Sequence, residues 1–290
     1  MTQSITGGVP EAAAGPPRSG DARPGWFARL RRNHLAMLGA SILAMVGLTA
    51  LLAPVLPLPD PNATDLSARL APPFSPGHPL GADELGRDVL SRIVWGTRVS
   101  LAVGLVAAFG AALAGSLIGV LAGFYGRWID TVLMRGIDML MAFPYLLLAL
   151  AIVAALGPGL MNALFAIAIV NVPFFARTVR GVTLGLVRRD YVDAARLGGQ
   201  NDPQILAGEI LPNLLPVIVI TISTTLGWMI LETAGLSFLG LGAQPPQADL
   251  GSMLGEGRQF LFTALHVSLV PGRMFFALVM SINLGGDGVR

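Results

Sequence analysis

The chain has no cysteine and no lysine, only three histidines, and charged residues at just 12% of its 290 positions. Each shortage excludes a chemistry. Without cysteine there is no thiol nucleophile and no Cys/His zinc site, and His34, His78 and His266 stand far apart in sequence. Without lysine all nineteen basic residues are arginine, so a P-loop ending in Gly-Lys-Ser/Thr is impossible and no Schiff base can form. If ATP drives this protein, another chain hydrolyses it. No catalytic residue, cofactor-binding residue or metal ligand is assigned, and the chain is not expected to be an enzyme. A formal charge of +2 is too small to suggest nucleic-acid binding.

What the chain has in quantity is apolar. Hydrophobic residues make up 53% and the mean hydropathy is +0.68, so lipid is the solvent for most of it. The opening residues, rich in Gly, Pro, Ala and Ser with no apolar face, cannot bury enough surface to offset the entropy of ordering, and 1–34 is read as a flexible tail. Leu35 to Val55 carries no charge for 21 residues, enough to cross a hydrocarbon core of roughly 30 Å. It is too long for a signal-peptide core, so 35–57 is expected to be a retained first span, ended by Pro54, Pro57, Pro59 and Pro61.

Residues 58–98 read as a polar, proline-rich loop on the far side, and 99–290 as the membrane core. Uncharged or nearly uncharged runs give a second span over Val99 to Tyr125, a third over Ile129 to Leu156 and a fourth over Met161 to Val182, the last two joined as a hairpin. A fifth runs from Ile210 to Thr233 and a sixth from Leu265 to Gly286. The small residues of the second span suit close helix contact, because lipid offers no hydrophobic drive for association. The expected fold class is an all-α polytopic membrane protein with six transmembrane helices. Arginines before the first span, at Arg127, and around the island 183–209 place both termini and that island in the cytoplasm.

Among charges near the spans, Arg135 and Asp138, with Arg127 and Asp130 before them, are expected to pair locally along one helix face. Glu232, near the far end of the fifth span, and Ser237 are candidates to line a pathway or meet a partner subunit. Arg273 is expected to snorkel outward.

The island holds Tyr191-Val192-Asp193-Ala194-Ala195-Arg196-Leu197-Gly198-Gly199, and Leu211-Pro212 follows at a fixed interval. Good helix formers to Leu197, a glycine turn, and a second short helix over Gln204 to Leu211 make a compact docking knob able to carry rigid-body motion into the spans. The signature resembles the EAA loop of bacterial ABC importer permeases. Asp193 matches the leading Glu, one methylene shorter; Ala194 and Ala195 match the two alanines, Gly199 the glycine, and Leu211-Pro212 the closing pair. The resemblance implies that Tyr191, Asp193, Ala194, Ala195, Gly199, Glu209, Leu211 and Pro212 form the loop that meets an ATPase subunit. Glu209 stands where relatives often carry a basic or apolar residue.

A second block, His78-Pro-Leu-Gly-Ala-Asp83-Glu-Leu-Gly86-Arg87-Asp88, resembles the loop before the second span in the C-type permease of dipeptide and oligopeptide importers. That implies Asp83, Gly86, Arg87 and Asp88 face an extracytoplasmic binding protein; the plainer reading is that Arg87, Arg92 and Arg98 only anchor an interfacial helix. A third block, Glu232 to Gly242 with Pro245-Pro246 and Gly251-Ser-Met-Leu254, resembles the same subfamily. Together these imply a type I ABC importer permease fold in the bacterial cytoplasmic membrane. The implied partners are a B-type permease, two ABC ATPase subunits, an extracytoplasmic substrate-binding protein, a peptide substrate and membrane lipid. Alternatives are the same architecture carrying nickel, glutathione or another small solute, or a lone ion-coupled transporter. The last would need an internal repeat, which is not evident, and has only Glu232 as a carrier.

Overall fold

Helices account for nearly all the regular structure in the computed structural model, which describes residues 34–289, with side chains to residue 286. The tail read over 1–34 therefore lies outside the described residues, except for His34. In chain order the helices are α1 (His34–Leu52), α2 (Val89–Tyr125), α3 (Arg127–Met141), α4 (Tyr145–Leu156) and α5 (Leu160–Leu186), followed by α6 (Asp190–Leu197), α7 (Asp202–Ile205), α8 (Leu211–Phe238), α9 (Leu250–Gly257) and α10 (His266–Val289). A π-helical turn, Leu206–Ile210, joins α7 to α8 without a break, so one rod runs from Asp202 to Phe238. Among the described residues five helices, counting that rod as one, are long and apolar enough to cross a membrane.

The third span is where the structure departs most from the sequence reading. Instead of one helix over 129–156, α3 and α4 meet at 88° across Ala142 to Pro144. Proline at 144 lacks the amide a continuing helix needs and disfavours the helical region for the residue before it. α3 is also amphipathic, with only Ile137 buried. The helix α2 begins at Val89, ten residues before the position read from the sequence, because Asp88 caps it by accepting the Ser91 amide at 2.8 Å. Arg92 and Arg98 thus belong to the helix and not to the loop.

α2 and α5 share the most extensive interface. Gly115, Gly119 and Gly123 form a stripe along α2 at intervals of four, and a Cβ on Gly119 would lie 2.5 Å from the Ala176 carbonyl oxygen of α5. Side chains of any size would push these backbones apart, which is how small residues hold helices together in lipid. Ala107, Ala108, Ala111 and Ala112 extend the contact and, with Ile167, Phe175 and Met229, form the central core. α1 lies against α10 at the edge of this bundle.

The expected local pairing of Arg135 with Asp138 does not form. Arg177 of α5 instead donates to Asp138 at 2.6 Å, and Arg180 makes a two-point contact with Asp130 at 2.5 and 2.6 Å. These pairs tie α3 to α5, a longer-range solution that pins the broken span to the core. Arg135 and Arg273 are exposed.

Candidate functional site

Two polar assemblies and one cleft carry the chemistry. The first is the knob. α6 turns Val192 and Ala195 inward, where they join Ile205, Ile210 and Leu214 against Val120, Phe124 and Val179 at the ends of α2 and α5. Gly199, at φ +80°, ends the helix in the left-handed region that a glycine adopts freely. Asn201 and Gln204 then form a reciprocal cap at the start of α7, each accepting from the other's backbone amide. The expected second short helix is thus no separate element: it continues through the π turn into α8. Pro212, which would clash in a regular helix, sits just beyond that turn, where the widened backbone accommodates it.

The outward face of the knob carries Tyr191, Asp193, Ala194 and Gly199, with Leu211 and Pro212 exposed at the base and Glu209 half-buried. Of the motif residues, Ala195 alone is buried, so it seats the knob and does not present it. Sequence reasoning gave no role to Leu197, which is 91% exposed at the tip. The signal in the sequence was its place beside the glycine turn. Arg196 lies over the Phe124 ring at 5.9 Å and 3.8 Å from Asp193.

The second assembly is a cap at the opposite end of the bundle. Here the predicted residues point inward. The Asp83 carboxylate accepts from the Leu85 and Arg87 amides at 2.9 Å and from Arg87 Nε at 2.6 Å. Arg87 and Arg92, 2% and 1% exposed, both reach Glu256 of α9, at 3.1 and 3.4 Å. Burial, partly offset by those guanidinium groups, holds the Glu256 carboxyl above the ordinary carboxylate range. Gly86, at φ +72°, lies so close to the Asp65 backbone that a Cβ would overlap its carbonyl oxygen. Ser91 donates to Pro59 O, and His78 lies 3.2 Å from Asp88. Asp83, Gly86, Arg87 and Asp88, the residues of the loop expected to face a binding protein, are all buried within this chain, where they fix the loop's shape. The loop's outer surface is made by other residues, Phe74 and Leu85 among them. Glu256 was missed because nothing in its local sequence marks it.

The cleft is built around Glu232. Glu232, only 6% exposed, accepts from Asn171 Nδ2 at 2.7 Å. With Tyr145, Phe174, Thr225 and Trp228 it lines a cleft of about 310 Å³ between α4, α5 and α8. Ser237 does not join it. Its hydroxyl is buried and accepts from the Ala243 amide at 3.3 Å, holding the turn after α8. Among the described residues no group of His, Asp and Glu has the geometry to hold a metal ion.

Comparison with known proteins agrees with this geometry. The family model described as the binding-protein-dependent transport system inner membrane component matches residues 115–285, and one described as the N-terminal transmembrane domain of oligopeptide transport permease C matches 25–73. The dipeptide transport system permease protein DppC of Alkalihalophilus pseudofirmus is 45% identical over 91% of this chain and 86% of its own. The glutathione transport system permease protein GsiD of Pectobacterium atrosepticum is 42% identical over 91% and 88%. In fold, an inward-facing structure of the MetNI methionine ABC transporter matches with a TM-score of 0.55 at 23% identity, covering 68% of this chain and 94% of that one. The chain belongs to the family of binding-protein-dependent transport system inner membrane components, and it is a multi-pass membrane protein of that family.

Proposed function

We propose that this chain is one of two permease subunits in an ATP-driven importer of dipeptides and short peptides, coupled to its ATPase through the knob. The observation that carries the coupling is the knob's construction. One face is locked by apolar contacts to α2 and α5, the other is exposed, and its second arm is continuous with α8. A push on Leu197 and Asp193 is therefore delivered along the helix that bears Glu232. Such a lever transmits the closure of a soluble partner to the pathway as rigid-body motion. The two ATPase subunits, the second permease and an extracytoplasmic binding protein follow from the family the chain belongs to. Arginine excess around the knob and in the tail puts that end in the cytoplasm and the cap outside.

The peptide class is supported by relatives named for dipeptide and glutathione transport, glutathione being itself a tripeptide. Membership of this family sets aside the lone ion-coupled carrier. The test is to tag the chain in its own host, extract it in mild detergent, identify what co-purifies, and assay ATP hydrolysis. Expected is a second permease with P-loop ATPases, lost or uncoupled in Asp193→Arg and Leu197→Asp. A lone chain with no ATPase overturns the reading.

A further inference from the structure

We infer that the Glu232 cleft is a recognition site for a primary ammonium group, through which the free amino end of a peptide is held as it passes this subunit. The inference rests on the importer reading and deepens it.

The argument begins with charge. Glu232 sits in an apolar helix, and among the described residues no arginine or histidine lies within ion-pair distance of it. Every other acid buried at this level in the described chain has an arginine or at least two polar partners: Asp83 has Arg87 and Arg92, Asp88 has His78 and the Ser91 amide, and Asp249 has Ser100 and the amides of Gly251 and Ser252. Glu232 has a neutral donor instead: Asn171, itself anchored to the Ile167 carbonyl at 2.9 Å. A carboxyl in a membrane helix is not tolerated facing lipid; such groups face a protein interior or an aqueous path. The face bearing this cleft is therefore turned to the pathway.

The surroundings then specify the guest. Tyr145, Phe174 and Trp228 are each about half exposed around the carboxylate, with the Tyr145 and Trp228 rings 6.2 Å apart and tilted by 52°. Aromatic faces with a carboxylate at the base attract a compact cation and offer little to an anion. Asn171 orients the carboxylate, and the Thr225 hydroxyl, committed to carbonyls of its own helix through its donor, keeps acceptor capacity toward the cleft. A primary ammonium, with three donors, fits a carboxylate, a hydroxyl oxygen and an aromatic face. Tyr145 enters the cleft only because the span is broken just before it, so the break in α3 and α4 builds the site as well as interrupting the helix.

The experiment uses the complete co-purified complex with its binding protein in proteoliposomes, offered a mixture of dipeptides and glutathione, with uptake read by mass spectrometry and ATP hydrolysis read in parallel. Glu232→Gln keeps the shape and the contact with Asn171. It is expected to assemble with its partner subunits while peptide uptake falls about tenfold or more; Glu232→Asp is expected to retain part of the uptake. In the complex without binding protein, saturation-transfer NMR is expected to detect dialanine but not N-acetyl-dialanine in the wild type, and neither in Glu232→Gln. Undiminished uptake by Glu232→Gln, or equal NMR signals for the two dialanines, overturns the proposal. Loss of the second permease from the Glu232→Gln complex also overturns it, in favour of an ion pair to that subunit. A wild-type complex that imports no peptide from the mixture defeats the importer reading itself, a result distinct from the others.

Discussion

The cap and the knob are the polar islands of an otherwise apolar bundle, one at each end, and they dispose of their charges in opposite ways. In the cap, Asp83, Arg87 and Arg92 are withdrawn from solvent and spend their hydrogen bonds on one another, on Glu256 and on backbone carbonyls. In the knob, Asp193 and Arg196 stand with side chains 65% and 46% exposed, and the buried face is apolar. A charge cluster turned inward determines the shape of its own segment. One turned outward leaves its charges for something else to meet. The same kind of sequence signal, a block of charged residues and glycines between spans, therefore has two different physical uses in one molecule.

The contrast is broken most forcefully in the cap. Arg92→Ala leaves Asp83 and Glu256 short of a buried cation, and removing one partner of such a cluster costs about 3–5 kcal/mol. Thermal unfolding in detergent should drop sharply and the 58–88 loop should become open to protease; unchanged melting would mean that the cap is held by its backbone turns alone.

Next in size is the packing between the islands. Gly119→Leu forces a side chain into the Ala176 carbonyl and Val179, and overpacking of this kind costs about 1–3 kcal/mol. The expected result is reduced recovery of folded protein, with Gly136→Leu, where a Cβ meets nothing, as the harmless control.

A smaller and pH-dependent effect is expected at Glu256. Its native carboxyl is held above its unfolded value, so the folded state binds more protons and this group's contribution to stability falls as pH rises above the ordinary carboxylate range. The stability of the wild type relative to Glu256→Gln should therefore fall as pH rises through mildly acidic values, and the substitution should cost less than Arg92→Ala. A wild type that instead gains stability over the variant as pH rises would show that attraction to the arginines outweighs burial.

The smallest stability change belongs to the knob. Leu197→Asp touches no packed neighbour and should shift stability by no more than about 0.5 kcal/mol, while the partner-dependent ATPase activity of the assembled complex is lost. Melting that fell with activity would mean that the tip leucine is part of the fold.

Much of this was legible in the chain. Apolar runs located α1, α2, α5, α8 and α10 because lipid demands long uninterrupted stretches, and the small residues of α2 pointed to close helix contact, though not to α5 as the partner. The knob's first helix and its glycine stop were also readable, since helix propensity and a left-handed glycine are local matters. The break at Pro144 was not taken from the sequence, although a proline lay at the point where the helix turns, because mean hydropathy across the run hides a change of direction. The inward turn of Asp83, Gly86, Arg87 and Asp88 in the cap was not read from the sequence either, because a motif gives the residues but not which way they face.

Composition alone determined that this chain is an arginine-only, thiol-free membrane protein unable to hydrolyse ATP through a P-loop, since those conclusions need only a count of side chains. The spaced motifs determined its kinship. Tertiary structure alone decided that Asp138 belongs to Arg177 and not to Arg135, that Arg87 and Arg92 look inward to Glu256, and that Glu232 meets Asn171 in a cleft shared with Tyr145 and Trp228. Each of those pairings joins residues far apart in the chain, and only the packing of helices against one another brings such residues within reach.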